Sequence, residues 1–141
     1  MIEVCAAVVV RDGRVLVARR TRPAELRGLW EFPGGKLERG ESPGACLARE
    51  LREELALAVE IGEPLGSSER AARSGEAAGL RLTAYAARTT DNAEPSPIDG
   101  THDSVRWVAA DELAELELAP LDVPLLPGAL RHLSDPDAHL R

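Results

Sequence analysis

Residues 35–57 read GKLERGESPGACLARELREELAL, and the second half of that stretch decides the fold. Ser42 followed by Pro43 is a helix start, with Ser as N-cap and Pro at the first helical position. The helix is expected to run to about Leu55. Successive helical residues turn by about 100°, so Leu47, Leu51 and Leu55 form one apolar stripe. Beside that stripe, Glu54 lies about 40° to one side of Glu50 and Glu53 about 60° to the other. Two readings of this acidic face stand open. It is a solvated face neutralised by its own arginines, Arg49 and Arg52, or a place where a cation offsets like charges that otherwise repel. A hard divalent ion such as Mg²⁺, which takes oxygen ligands and keeps several waters, suits the second.

Upstream of the helix, Val4 to Val10 is a continuous apolar run, the pattern of a strand buried on both faces. Asp12-Gly13 is a turn signal and Val15 to Ala18 resumes strand-like sequence, which together predict a hairpin. Trp30-Glu31-Phe32 reads as a short extended piece before Pro33-Gly34-Gly35, a tight loop. Downstream, Val59 to Leu65 reads as a strand ending around Pro64. Gly66 to Gly79 reads as a loop or hairpin connection, and Leu80 to Ala86 as another strand. Thr89 to Gly100, with Pro95 and Pro97, is an expected exposed loop. Val105 to Val108 is a short strand, Asp111 opens a short helix, and Val123 to Leu133 forms a final one. Strands and helices interleave without a regular βαβ repeat, which predicts an α/β fold: a mixed β-sheet with helices on both faces. No repeat or linker interrupts residues 1–133, read as a single domain, and residues 134–141 read as a C-terminal tail.

The chain has 141 residues, 44% hydrophobic and 29% charged, the balance of a globular domain. Aromatics make up only 3%, so the core must be built from aliphatic side chains. The net charge of -7 argues against a grip on long nucleic acid, which needs clustered Lys and Arg. A free nucleotide needs only a metal ion and a few basic groups. Cys5 and Cys46 show no metal-ligand spacing and are expected as buried free thiols. No apolar run approaches the roughly 20 residues that span a bilayer. The amino-terminal residues carry no basic leader pattern, so a cytoplasmic location without membrane contact is expected.

The flanks of the acidic helix then choose between the two readings. Gly35, five residues, Glu41, seven residues, and Arg49-Glu50-Leu51-Arg52-Glu53-Glu54 follow the Nudix pattern GX5EX7REUXEEXGU. Trp30 to Leu37 resembles the entry sequence of the MutT-like branch, and the likeness extends through Arg106-Trp107-Val108. The chain is identified as a member of that family. The resemblance implies the Nudix fold, an α/β/α sandwich, in which Glu50, Glu53 and Glu54 bind Mg²⁺ (Mn²⁺ substituting), helped by the Gly34 carbonyl. Arg49 is implied to orient Glu50, the residue chosen as base, and Glu41 to steady the loop. Arg20 stands at the place of a phosphate-binding arginine, its other reading being a strand-end surface charge, and Lys36, close to the metal loop, is an implied substrate contact.

Two departures stand out. The box glycine that closes the helix is Ala56 here. The acidic residue that relatives often place six positions before the strand tryptophan is Thr101, with Asp99 and Asp103 as substitutes nearby. His102 is either a phosphate contact or a plain loop residue, and Glu31 either buried near the site or solvated. Asp122 stands where some relatives place a base-reading Asn. An ionised carboxylate there accepts but does not donate, which favours the amino group of cytosine; the other reading of Asp122 is a helix N-cap.

The resemblance implies a nucleoside triphosphate pyrophosphohydrolase of the kind that cleans the nucleotide pool. It would act as monomer or homodimer on 8-oxo-dGTP or on CTP and dCTP, releasing the monophosphate and pyrophosphate. Hydrolysis of ADP-ribose or another nucleoside diphosphate derivative is the enzymic alternative. A non-catalytic nucleotide sensor is the alternative of another class, disfavoured because all three helix carboxylates are present.

Overall fold

The uninterrupted apolar run at Val4 to Val10 lies in the middle of a sheet covered on both sides. In the computed structural model, which describes residues 1–135, β1 (Ile2–Arg11) sends alternate side chains into two separate cores. Ala6, Val8 and Val10 pack with Leu113, Leu125 and Ala129 on one face, and Cys5, Ala7 and Val9 pack with Leu47, Leu51 and Leu55 on the other. The first core belongs to α2 (Ala110–Glu115) and α3 (Leu126–Ser134), the second to α1 (Pro43–Leu55). The expected sandwich of helices around a mixed sheet is therefore present. Both cysteines are buried and free, as expected. Among the described residues no helix is long and apolar enough to cross a membrane.

The remaining strands are β2 (Arg14–Arg20), β3 (Trp30–Glu31), β4 (Gly34–Lys36), β5 (Val59–Arg70), β6 (Leu80–Thr89) and β7 (His102–Val108). β1 runs parallel to β6 along one edge, and β5 pairs antiparallel outside β6. The other edge of β1 is shared. Next to the Asp12-Gly13 turn it pairs with β2 only at Val10–Val15 and Arg11–Arg14, and nearer its start it pairs with β4 over Val4 to Ala6. β2 meanwhile carries β7 on one edge and β3 on the other. The two central strands thus open like a fork, and residues 30–36 run through the gap, first along β2 and then along β1. The far edge of β3 takes the backbone of residues 117–119 through Trp30 N–H to Glu117 O and Ala119 N–H to Trp30 O. Trp30 is further flanked by the guanidinium groups of Arg19 and Arg106, each 5.6 Å from its ring.

Three local expectations are corrected. Pro33-Gly34-Gly35 is not a free loop, since Gly34 and Gly35 begin β4. Gly34 lies so close to β1 that a Cβ there would overlap the Cys5 carbonyl. β5 does not stop at Pro64 but continues to Arg70, with ladder irregularities on both sides of the proline. It is an edge strand, where proline's missing N–H breaks no ladder if it faces outward. The final helix is split into a 3₁₀ turn at Val123–Leu125 and α3 from Leu126, each with proline in its first turn. Of the tail expected from 134 onward, residues 136–141 lie outside those described.

α1 begins where the sequence says it does, with Ser42 Oγ accepting from Ala45 N–H at 3.1 Å. It ends on Ala56, which sits in the left-handed region at φ 55° and ψ 37°. The backbone geometry that glycine favours is kept without the glycine. The last carbonyls are covered from outside the helix: Ser96 N–H donates to Leu55 O at 2.9 Å and Ile98 N–H to Glu54 O at 3.0 Å. A left-handed alanine costs about 1–2 kcal/mol, and glycine's extra freedom when unfolded returns about 0.4–1 kcal/mol of that. Ala56→Gly is therefore expected to stabilise the protein by about 0.5–1 kcal/mol. Urea denaturation checks this, with a higher midpoint at unchanged slope as the expected result.

Candidate active site

With the leucine stripe of α1 fixed against the sheet, the acidic face is turned toward β4. The approach is close: a Cβ on Gly35 would overlap the Glu50 carboxylate. In the antiparallel β1–β4 pair, Ala7 N–H bonds Pro33 O and Leu37 N–H bonds Glu3 O. By the alternation of such ladders, the Gly34 carbonyl points away from β1 and is not consumed by the sheet.

Arg49 is the hub of the helix face. Its Nε and Nη2 clasp both oxygens of Glu41 at 2.9 Å each, while Nη1 reaches Glu50 Oε1 at 2.8 Å and Glu53 Oε2 at 3.5 Å. Nη2 also donates to Lys36 O at 3.3 Å. This bidentate grip, with the Glu38 N–H as a further donor, lowers the Glu41 pKa to about 2. One guanidinium thus joins the loop before the helix to the carboxylate in the middle of it.

Glu54 has a different environment. It is only 7% exposed, and its Oε2 is enclosed without a hydrogen-bond partner. Burial, then contact with Glu50, then the charges of Glu50, Glu31 and Asp99 raise its pKa far above the ordinary carboxylate range. Glu53, by contrast, has a side chain 58% exposed. Among the described residues no set of three or more acidic, His or Cys side chains is already gathered into a metal cage. A hydrated Mg²⁺ does not need one, because one or two carboxylates plus phosphate and water oxygens suffice. The crowded Glu50–Glu54 pair and the Gly34 carbonyl, turned away from β1, make an all-oxygen donor set that fits such an ion.

Behind this pair lies a string of polar groups that the sequence left unconnected. Glu31 is not solvated. Its carboxylate takes Arg20 Nη1 at 3.0 and 3.2 Å and His102 Nε2 at 2.8 Å. His102 is not a loop residue either: it opens β7 opposite Arg20 and is 4% exposed. Its Nδ1 faces Glu54 Oε2 at 3.8 Å. Arg20 is therefore engaged rather than free, with its Nε on the Arg22 carbonyl at 2.8 Å. Of the two substitute acids, Asp103 is bound to Arg19 at 2.8 Å on an exposed surface. Asp99 instead holds Thr101, accepting from its N–H at 2.9 Å and from its hydroxyl at 3.1 Å, and its charge is felt at Glu54.

Lys36 is exposed, and strand alternation places it on the face of β4 opposite the one that meets Glu50. Asp122 corrects the helix-cap reading. It caps no helix, for Oδ2 accepts from Phe32 N–H at 2.9 Å across the fork. Burial, reinforced by the charge of Glu31, raises its pKa well above the ordinary value, against the pull of Phe32 N–H and Arg20. Burial thus disfavours the ionised form from which the cytosine preference was read, and a carboxyl in its neutral form donates as well as accepts. A separate cleft of about 290 Å³, lined by Glu60, Ile61 and Arg88 among others, contains none of these groups.

Comparison with known proteins agrees with the geometry. The NUDIX domain model matches residues 1–128. A CTP pyrophosphohydrolase of Escherichia coli (strain K12) is 39% identical over 131 residues, covering 89% of each chain. A provisionally named 8-oxo-dGTP diphosphatase 2 of Mycobacterium tuberculosis is 40% identical over 143 residues, covering 98% of this chain and 96% of that one. Among solved structures, the E. coli ORF135 protein superposes with a TM-score of 0.78 at 38% identity, covering 97% and 95% of the two chains. A MutT NUDIX hydrolase from Burkholderia pseudomallei gives 0.76 at 29% identity, covering 90% and 96%. The chain belongs to the Nudix family. It is a MutT-like pyrophosphohydrolase, an enzyme of a family that works with divalent metal ions.

Two outcomes follow from this geometry. Gly35→Ala is expected to lower kcat by at least about 10-fold, because its Cβ displaces Glu50; steady-state kinetics on a protein shown folded by circular dichroism checks it. Asp122 has a raised folded-state pKa, so its contribution to stability falls as pH rises from its ordinary value near 3.8. Asp122→Asn lacks that loss. The stability of the Asn variant relative to the parent is expected to grow with pH above about 4, by at most about 1.4 kcal/mol per pH unit, measured by urea denaturation across pH 4–8.

Proposed function

We propose that this enzyme hydrolyses nucleoside triphosphates to monophosphate and pyrophosphate with Mg²⁺ as its ion, on CTP and dCTP or on 8-oxo-dGTP. The observation that carries the reading is the crowded Glu50–Glu54 carboxylate pair on a helix face clasped by Arg49. The names of the Escherichia coli and Mycobacterium tuberculosis relatives support the two substrate classes. A small nucleotide, not long nucleic acid, is the partner that fits a chain of net charge -7.

In this reading Glu50, Glu53 and Glu54, with the Gly34 carbonyl, hold the ion, and Asp99 supplies the carboxylate from outside the box that Thr101 cannot. A bound divalent ion neutralises phosphate charge and acidifies a water. Glu50, oriented by Arg49, accepts the proton of the attacking water. Arg20 meets phosphate oxygens by exchanging part of its contact with Glu31. Asp122, anchored to Phe32 N–H, presents its second oxygen to the base. Residues 1–133 act as one catalytic domain, in the cytoplasm, as monomer or homodimer.

A panel of CTP, dCTP, dGTP, 8-oxo-dGTP and ADP-ribose with product identification tests this. Monophosphate and pyrophosphate from a cytosine or 8-oxoguanine nucleotide, abolished by chelator, is the expected result; ADP-ribose as the best substrate would overturn it. Glu54→Gln is expected to cut kcat more than about 100-fold, beyond the loss typical of groups that only orient a ligand. Asp122→Ala is expected to change the ratio of kcat/KM between cytosine and guanine nucleotides by about 10-fold, one hydrogen bond's worth of discrimination. An unchanged ratio removes Asp122 from base reading.

A further inference from the structure

His102 is enclosed on all sides, its side chain 0% exposed, yet only one of its ring nitrogens has a hydrogen bond. Nε2 meets Glu31 Oε2 at 2.8 Å, and Glu31 is itself clamped from the other side by Arg20. Glu31 is the acceptor in that contact, so Nε2 carries the hydrogen and the ring orientation is set. The other nitrogen, Nδ1, is thereby aimed at Glu54 Oε2, 3.8 Å away. Both atoms are buried and neither has another partner. Unpaired buried polar atoms are costly. An imidazole ring that donates from both nitrogens, Nε2 to Glu31 and Nδ1 to Glu54 Oε2, pairs both atoms once the gap closes by about 1 Å, with Glu54 still ionised.

We propose that His102 is a positioning residue for Glu54. Its Nδ1 holds Oε2, so that Oε1 is left on the helix face shared with Glu50, and Glu31 and Arg20 keep the imidazole in place. This rests on the reading of Glu54 as a ligand of the divalent ion. Groups that orient a ligand from behind alter metal affinity by about 10–100-fold when removed. Such an effect separates positioning from a histidine that merely fills the space between β7 and the helix.

The test uses Mn²⁺ binding to the metal-free protein, followed by the electron paramagnetic resonance of free hydrated Mn²⁺. Two substitutions divide the two ends of the ring. His102→Asn keeps a polar atom at the level of Nδ1, facing Glu54, while His102→Gln reaches the level of Nε2, facing Glu31. His102→Gln is expected to weaken Mn²⁺ binding by at least about 10-fold, and His102→Asn to stay within about threefold of the parent. Glu31→Gln, nearly the same shape, is expected to weaken it by about threefold to 10-fold and serves if a His102 variant does not fold. Equal affinities for the Asn and Gln variants overturn the proposal, whatever their melting temperatures, as does an unchanged Glu31→Gln. Glu54→Gln, with His102 untouched, is expected to lose Mn²⁺ affinity. If it does not, the ligand reading itself has failed and the proposal falls with it, a failure distinct from that of the positioning role.

Discussion

The site depends on how closely α1 approaches β4. With no Cβ at Gly35, the middle of the helix comes near enough for the Glu50 carboxylate to lie on the strand backbone. That approach also brings Arg49 within reach of the Lys36 carbonyl and of Glu41. A guanidinium presents several donors in a fixed plane, so it ties a loop and a helix together with defined geometry. Glycine, arginine and two glutamates are thus one mechanical unit. The leucine stripe behind it, with Leu47, Leu51 and Leu55 fully buried, keeps that unit from rotating.

The fork in the sheet explains why the site lies where it does. β1 and β2 stay paired only next to their turn, and the gap between them admits Trp30 to Lys36. The entry sequence of the acidic motif is therefore not a linker but part of the wall. Glu31 pairs on the β2 side of the gap and Gly34 on the β1 side. The burial there is deep enough to raise the pKa values of both Glu54 and Asp122, with Glu31 contributing to each. The carboxyl groups of this wall feel one another's charge and are short of compensating positive charge.

Ala56 shows how a missing residue is accommodated. The motif's glycine is absent, but the left-handed backbone remains because the loop of residues 90–100 donates to the last helical carbonyls. The same loop carries Asp99 to the neighbourhood of Glu54 and, through it, secures Thr101. Two departures from the family pattern, one at the helix end and one before β7, thus meet in a single stretch of chain.

Periodicity and capping chemistry made much of this legible in the sequence. The run at Val4 to Val10 declared a strand covered on both faces, and Ser42-Pro43 with the leucine spacing declared α1 and its phase. Those two features are local: backbone sterics and residue spacing suffice for them. The acidic helix was different, for its own residues left a solvated face open, and only the likeness of the order around Glu41 and Arg49 to the Nudix pattern marked it as a site. What tertiary structure alone decided was the set of contacts between distant segments. Glu31 meets His102 across 71 positions, and Asp122 meets Phe32 across 90. No spacing rule encodes such pairs, because they depend on the opening of β1 from β2 and on which side chains that opening buries. For the same reason, sequence could name Asp122 but not its protonation, since the desolvation that raises a carboxyl's pKa exists only after the chain has closed around it.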